Sequence, residues 1–476
     1  MRRIFNNFVP MFLNAVPVGA DYIAFHDFHK MLKNCKNRFS YKANNENFTK
    51  KLNNSSFSDC VSLSKGQTLD LDFGKEICFD TVSLWEKGDN CLLFEISALK
   101  NGEWQTVYRQ DRILCCHTCF LGKITAQKLK IEILNCKNDV TLRGLYVYKS
   151  EKRKESFKVS QYLRLDQQDF NELINDEGFS GYYDAVTDVI LFEEAFIDEN
   201  AEIAFNRSEE IFVSQLKALR QIIGKRPVKI WCCLFFDRKD KNGQRDHNLT
   251  KAFVNANIVK ISYSIKRFTE KYGLYGIDYD WEFPRTLSQW KAYSLIVERT
   301  AKFTKVSVAL PPWGIMFGSH TIKSIEHVNL MAYDLFDNVG DHSNSFIGGY
   351  NAIRKVMNAG FDKEQILLGI PTYGRTVNRS EYAWPTVRDD CKENGMWNNT
   401  IQFEYTDLEN SESKTSKAYL NSYAQVRDKT ALSFDFGIGG VMIFRAFCDA
   451  PYTHPYSLHK AVNEVILNNR EKQKII

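Results

Sequence analysis

From residue 60 to about 150 the chain alternates apolar and polar side chains with a period of two. The pattern is clearest over residues 67–73, 81–85, 92–98, 104–108, 128–133 and 142–148, with Gly, Asn, Asp and Lys turns between them. Successive side chains on a strand point to opposite faces, so these segments predict half-buried strands. Strands this closely spaced, with hardly a helix between them, predict a β-sandwich over residues 61–149. Residues 1–60 are rich in Asn and Lys and read as an N-terminal segment, partly extended or part of the sandwich.

The charged run Lys149-Ser150-Glu151-Lys152-Arg153-Lys154-Glu155 predicts a solvated linker over residues 150–156. Beyond it the pattern changes to strands alternating with amphipathic helices. Strands are expected to begin near Lys158, Thr187, Val228, Tyr275, Lys305, His327, Ile366 and Gly439. Helical periodicity covers residues 208–223, 255–272, 287–303, 348–358 and 417–430. Eight strands with intervening helices over residues 157–470 predict a (β/α)8 TIM barrel with one larger insertion at 376–416. The whole is expected to be multidomain, with chemistry at the C-terminal ends of the barrel strands.

Composition narrows the classes of function. The 476 residues are 44% hydrophobic and 25% charged with a net charge of +5, and no Lys/Arg block or basic–aromatic interleaving occurs. Nucleic acid is therefore not an expected partner. No apolar run reaches the roughly 18 residues that a membrane-spanning helix needs, so no membrane association is expected. Met1-Arg2-Arg3 followed by residues 4–20 has the outline of a secretion leader. Asn6, Asn7, Pro10 and Asn14 interrupt its apolar stretch, leaving location open between secreted, cell-surface and cytoplasmic. The 12 cysteines show no framework spacing and read as unpaired thiols of a reducing compartment. Cys116-His117-Thr118-Cys119 has no second ligand pair at zinc spacing, so no metal is expected. Monomer is the default state.

The sharpest chemical signal is Tyr275-Gly276-Ile277-Asp278-Tyr279-Asp280-Trp281-Glu282-Phe283-Pro284. On a strand, Asp278, Asp280 and Glu282 share one face, while Ile277, Tyr279 and Trp281 point the other way. Carboxylates facing into a barrel are costly, and charges this close cannot all ionise. At least one pKa must rise, which is what a general acid working near neutrality requires.

This segment resembles the DxDxE signature of glycoside hydrolase family 18, the chitinase and endo-β-N-acetylglucosaminidase family. Asn329-Leu330-Met331-Ala332-Tyr333-Asp334-Leu335 resembles that family's sixth-strand MxYD, and Leu368-Gly369-Ile370-Pro371-Thr372-Tyr373-Gly374-Arg375 its seventh-strand GxPxYGR. Gly439-Gly440-Val441-Met442-Ile443-Phe444 is similar to its last strand, GGxMxW. The resemblance implies a retaining, substrate-assisted hydrolase of glycans containing β-linked N-acetylglucosamine, without a cofactor. Glu282 would be the acid and base, Asp280 would hold the acetamide N–H, Asp278 would share a proton with Asp280, and Tyr333 would hold the acetamide carbonyl. Asp334, Tyr373, Arg375, Phe444 and Trp281 are the expected substrate-binding residues. A catalytically inactive lectin of the same sugars is the alternative. Two departures bear on substrate choice: Lys229-Ile230-Trp231-Cys232-Cys233-Leu234-Phe235-Phe236-Asp237 replaces the family's third-strand SxGG, and Phe444 stands where it has Trp. Over residues 61–149 the strand phrasing resembles the discoidin-like, galactose-binding-like sandwiches that accompany glycosidases as carbohydrate-binding modules.

Overall fold

The structure, a computed structural model, describes residues 27–468 apart from 28–29, 33–34, 36, 55–59, 115, 151–155, 166–169, 171–178, 199, 236–256, 335–345, 377–380, 383–394 and 407–412. The leader-like segment, most of the linker, Cys115, Cys391, Phe236 and Asp237 lie outside the described residues.

The N-terminal part contains β1 (Arg38–Phe39), β2 (Lys42–Ala43), α1 (Glu46–Asn54), β3 (Val61–Leu63), β4 (Thr68–Glu86), β5 (Cys91–Lys100), β6 (Glu103–Gln110), β7 (His117–Cys136) and β8 (Val140–Tyr148). Where a sandwich is expected, these strands hydrogen-bond into a separate antiparallel sheet, ordered β1-β8-β4-β7-β5-β6, with β2 on β4 and β3 on β8. The segments 67–73 and 81–85, expected as two strands, are one 19-residue strand. The apparent break at Phe73-Gly74-Lys75-Glu76 is an irregularity in the β4–β7 register, with Gly74 at φ +74°. Such bulges bend a strand and raise its twist without ending it. One face of the sheet carries its own apolar core, including Leu69, Leu71, Phe79, Phe94, Ile96, Leu129, Ile131 and Val147.

The barrel follows. Its strands are β9 (Lys158–Leu163), β10 (Asp188–Ile197), β12 (Lys229–Phe235), β13 (Gly276–Asp280), β14 (Lys305–Leu310), β15 (His327–Leu330), β16 (Ile366–Pro371) and β21 (Gly440–Phe444). All neighbours are parallel, and β9 pairs with both β10 and β21, so the sheet closes on itself. Short β11 (Ile203–Phe205) adds antiparallel to β10. Each strand starts within one residue of its expected position. The last strand opens on a glycine, Gly440, where a Cβ would lie 2.0 Å from the Lys158 carbonyl oxygen. The surrounding helices include α2 (Glu209–Ile223), α3 (Ile258–Tyr272), α4 (Leu287–Thr300), α5 (Ser319–Ser324), α6 (Phe346–Asn358), α7 (Tyr423–Phe436) and α8 (Leu458–Asn468). The insertion after the seventh barrel strand folds as its own small antiparallel sheet of β17 (Gly374–Thr376), β18 (Glu381–Tyr382), β19 (Thr400–Thr406) and β20 (Ser413–Tyr419). The helix expected over 417–430 is shifted accordingly. Residues up to Tyr419 belong to β20, and α7 starts where the Ser422 side chain accepts the Gln425 N–H at 3.2 Å.

The N-terminal sheet docks on α7. Asp428, buried on that helix, accepts from Tyr108 Oη at 2.5 Å and the Phe120 N–H at 2.7 Å, and lies 3.0 Å from His117 Nε2. Tyr148 Oη donates to Asp435 at 2.5 Å, and Phe120 packs with Ala431 and Val465.

Candidate active site

β13 is buried over its full length, and its two faces differ as the alternation predicts. Ile277, Tyr279 and Trp281 belong to the core between barrel and helices. Tyr279 Oη lies 2.6 Å from Thr300 Oγ1 on α4, and the Trp281 ring is 5.5 Å from Tyr293. This corrects the expectation for Trp281: its ring is 5% exposed and packs against the helix layer, on the opposite side of the strand from the carboxylates.

Asp278 faces the barrel interior and is fully buried. It accepts from Tyr162 Oη on β9 at 2.6 Å, Ser307 Oγ on β14 at 2.6 Å and Asn329 Nδ2 on β15 at 2.9 Å. Burial raises its carboxyl pKa, and these donors, which favour the charged form, oppose the rise. Asp280, one turn of the pleat higher, is 4% exposed. Glu282 lies just past the strand end and is only partly buried.

Tyr333 follows β15 and belongs to the barrel-interior cluster with Tyr162, Phe192, Cys233, Met331, Tyr373 and Met442. Its phenol is pushed well above the usual range, first by burial, then by Tyr373 and by the carboxylates of Asp280, Glu282 and Asp334. The structure thus brings Asp280, Glu282 and Tyr333 within one another's field. Asp334, at φ +57°, is gripped by Arg375 through Nε at 2.8 Å and Nη2 at 2.6 Å, and by Tyr373 Oη at 3.0 Å. A two-pronged guanidinium–carboxylate contact fixes geometry as well as charge. Arg375 and Asp334 are therefore mutual partners forming one wall. Phe444, half-buried at the end of β21, lies 5.4–6.1 Å from the rings of Tyr162, Phe192, Tyr333 and Tyr373, stacked on Tyr333.

In the third strand Trp231 fills the barrel floor. Its Nε1 donates to Asp188 at 2.8 Å, and its ring packs on His327 and Tyr275. Sequence reasoning did not single out Tyr162, Ser307 and Asn329. Each is a polar residue at an interior-facing position of an otherwise apolar barrel strand, and that is the signal by which they were open to detection. No group of three or more His, Cys, Asp or Glu suited to a metal occurs among the described residues. His117 serves instead in the contact with Asp428.

Residues 246–449 match the family model described as Glycosyl hydrolases family 18. Chitinase 1 of Aphanocladium album is 25% identical over 164 residues, covering 27% of this chain and 39% of the relative. Endochitinase 1 of Metarhizium robertsii is 24% identical over 180 residues, 31% of this chain and 42% of the relative. The chain thus spans about two fifths of the length of the curated relatives it matches. A chitinase from Bacteroides thetaiotaomicron superimposes with TM-score 0.53 at 18% identity, over 67% of this chain and 97% of that one. The GH18 chitinase ChiB of Flavobacterium johnsoniae gives TM-score 0.50 at 16% identity, over 67% and 94%. Residues 246–449 thus match glycoside hydrolase family 18, the curated relatives similar to this chain are chitinases, and the solved chitinases share its barrel fold.

Proposed function

We propose that the barrel is an active, retaining hydrolase of glycans containing β-linked N-acetylglucosamine, with the substrate's own acetamide as nucleophile. The observation that carries this reading is the column of Asp278 and Asp280 on β13 and Glu282 just past its end, with Tyr333 in the field of the upper two carboxylates. Glu282 donates its proton to the glycosidic oxygen while the acetamido carbonyl oxygen attacks the anomeric carbon, closing an oxazolinium ring. Asp280 accepts the acetamide N–H and offsets the charge that develops on the ring, Tyr333 donates to the carbonyl oxygen, and Glu282 then deprotonates the incoming water. Such substrate assistance departs from the usual two-carboxylate geometry. Asp278, held by Tyr162, Ser307 and Asn329, buttresses Asp280 from below and shares its proton. The chitinase relatives favour a chitin-like substrate. On its strand phrasing, the N-terminal sheet is an accessory, discoidin-like sugar-binding region of the same reading.

Glu282→Gln is expected to abolish hydrolysis of a chromogenic chitobioside while calorimetry still detects sugar binding; full activity in that variant removes Glu282 from its role. The second reading, a sugar-binding protein without turnover, is favoured by Trp231 on the barrel floor and by the smaller ring of Phe444. Wild-type binding without hydrolysis of chitin oligomers, peptidoglycan or N-glycoprotein would select it.

A further inference from the structure

Cys91 opens β5 and Cys136 closes β7, and the two are direct register partners across the antiparallel ladder. Opposite residues of such a ladder project from the same face. Both side chains accordingly belong to the N-terminal sheet's own core, Cys91 fully buried and Cys136 half-buried at its margin. The adjacent bonds define what kind of pair this is. Lys137 N–H donates to the Asn90 carbonyl at 2.8 Å, so the ladder bond falls on the neighbouring pair. Cys91 N–H is turned to Glu86 Oε1 at 3.1 Å. Cys91 and Cys136 therefore occupy a non-hydrogen-bonded position, where Cα atoms approach to about 4.5 Å. That separation falls within the roughly 4.4–6.8 Å that a disulfide spans. Both thiols are free in the structure.

We propose that Cys91 and Cys136 form a reversible redox pair that closes into a cross-strand disulfide by exchange with a small-molecule disulfide. The more accessible Cys136, as thiolate, attacks one sulfur of the small disulfide and releases one small thiol. Cys91 then loses its proton, and its sulfur attacks Sγ of Cys136, releasing the second small thiol. Two protein thiols become one disulfide, and one small disulfide becomes two thiols. Burial and the Glu86 carboxylate hold the Cys91 thiol well above its ordinary range, so closure accelerates with rising pH. Closure ties the start of β5 to the end of β7, beside edge strand β6, whose Tyr108 and Gln110 contact the barrel. This reading is independent of the hydrolase assignment.

The test treats the full-length folded protein with oxidised glutathione, blocks remaining thiols with an alkylating agent in denaturant, and maps tryptic peptides without reductant. The expected product joins peptide 88–100 to peptide 131–137, weighs two hydrogens less than their sum, and vanishes on reduction. Cys136→Ser, at the margin of the core, should abolish it. Glutathione remaining on Cys136 while Cys91 is alkylated would overturn the proposal, as would links joining either cysteine to a different partner. The wild-type map alone decides between these outcomes, whatever the stability of the variant.

Discussion

Asp278 and His327 show two ways of keeping an ionisable side chain in a barrel interior. An unpaired buried carboxylate is costly, and Asp278 meets that cost with three donors from three other strands. His327, fully buried on the sixth barrel strand, is held otherwise. Its ring packs on Trp231, its Nδ1 is 3.5 Å from Lys158 Nζ, and Glu326 next to it collects Lys158, Lys229 and Lys305. Burial, then the charges of Lys158 and Lys229, push its pKa well below the ordinary 6.5. The fold therefore keeps His327 neutral where an unfolded chain would take up a proton. That contribution to stability is present above pH 6.5 and is lost as pH falls below it. One such group changes stability by up to about 1.4 kcal/mol per pH unit. Denaturant melts at pH 7 and pH 5 should show this loss, and His327→Gln should reduce it; equal pH dependence in both proteins would contradict the assignment.

Among the elements, β13 is the one on which the site depends. Its first residue, Gly276, has to be glycine because Trp231 lies across it. A Cβ at that position would be 2.3 Å from the Trp231 ring and 2.6 Å from the Lys305 carbonyl oxygen. Neither neighbour has room to move, since Trp231 is also bonded to Asp188 and Lys305 is paired with Gly276 in the ladder. Gly276→Ala is expected to cost roughly 1–3 kcal/mol, the range for overpacking a dense interior. Because the carboxylates sit two, four and six residues further on, it should lower activity too. A thermal melt and a chitobioside assay check this, and an unchanged melting midpoint would show that the floor yields. The helix following β13 is set by local chemistry instead. Thr286 caps α4 and Gln289 returns a bond to the Thr286 N–H at 3.1 Å, a reciprocal pair visible in the residues themselves.

On the scale of the whole molecule, the N-terminal sheet and the barrel share a buried polar contact rather than a solvated gap. Asp428 receives Tyr108, His117 and Phe120, while Gln110 reaches both Ser422 and Asn399 at the root of the insertion. The seventh barrel strand leads into that insertion through Arg375, so the sheet braces the wall holding Asp334. Asp428→Ala leaves buried donors without an acceptor and is expected to cost roughly 2–5 kcal/mol. The wild-type protein should melt in one transition by near-ultraviolet dichroism and calorimetry. The variant should melt lower and in two steps. A single unshifted transition would mean that the interface contributes little.

What the residues settle alone is what local periodicity governs. Alternation placed Asp278, Asp280 and Glu282 on one face of a strand, and recurring strand–helix phrasing put the barrel strands within a residue of where they start, because side-chain direction repeats along the chain. It also assigned Trp281 to the helix side, even though the family resemblance had placed it at the substrate. Tertiary structure decided the rest. Tyr162, Ser307 and Asn329 meet Asp278 only because a closed barrel brings strands one, five and six around strand four. Arg375 finds Asp334, Asp428 finds the sheet, and Cys91 faces Cys136 because of long-range docking and ladder register, which no local pattern specifies.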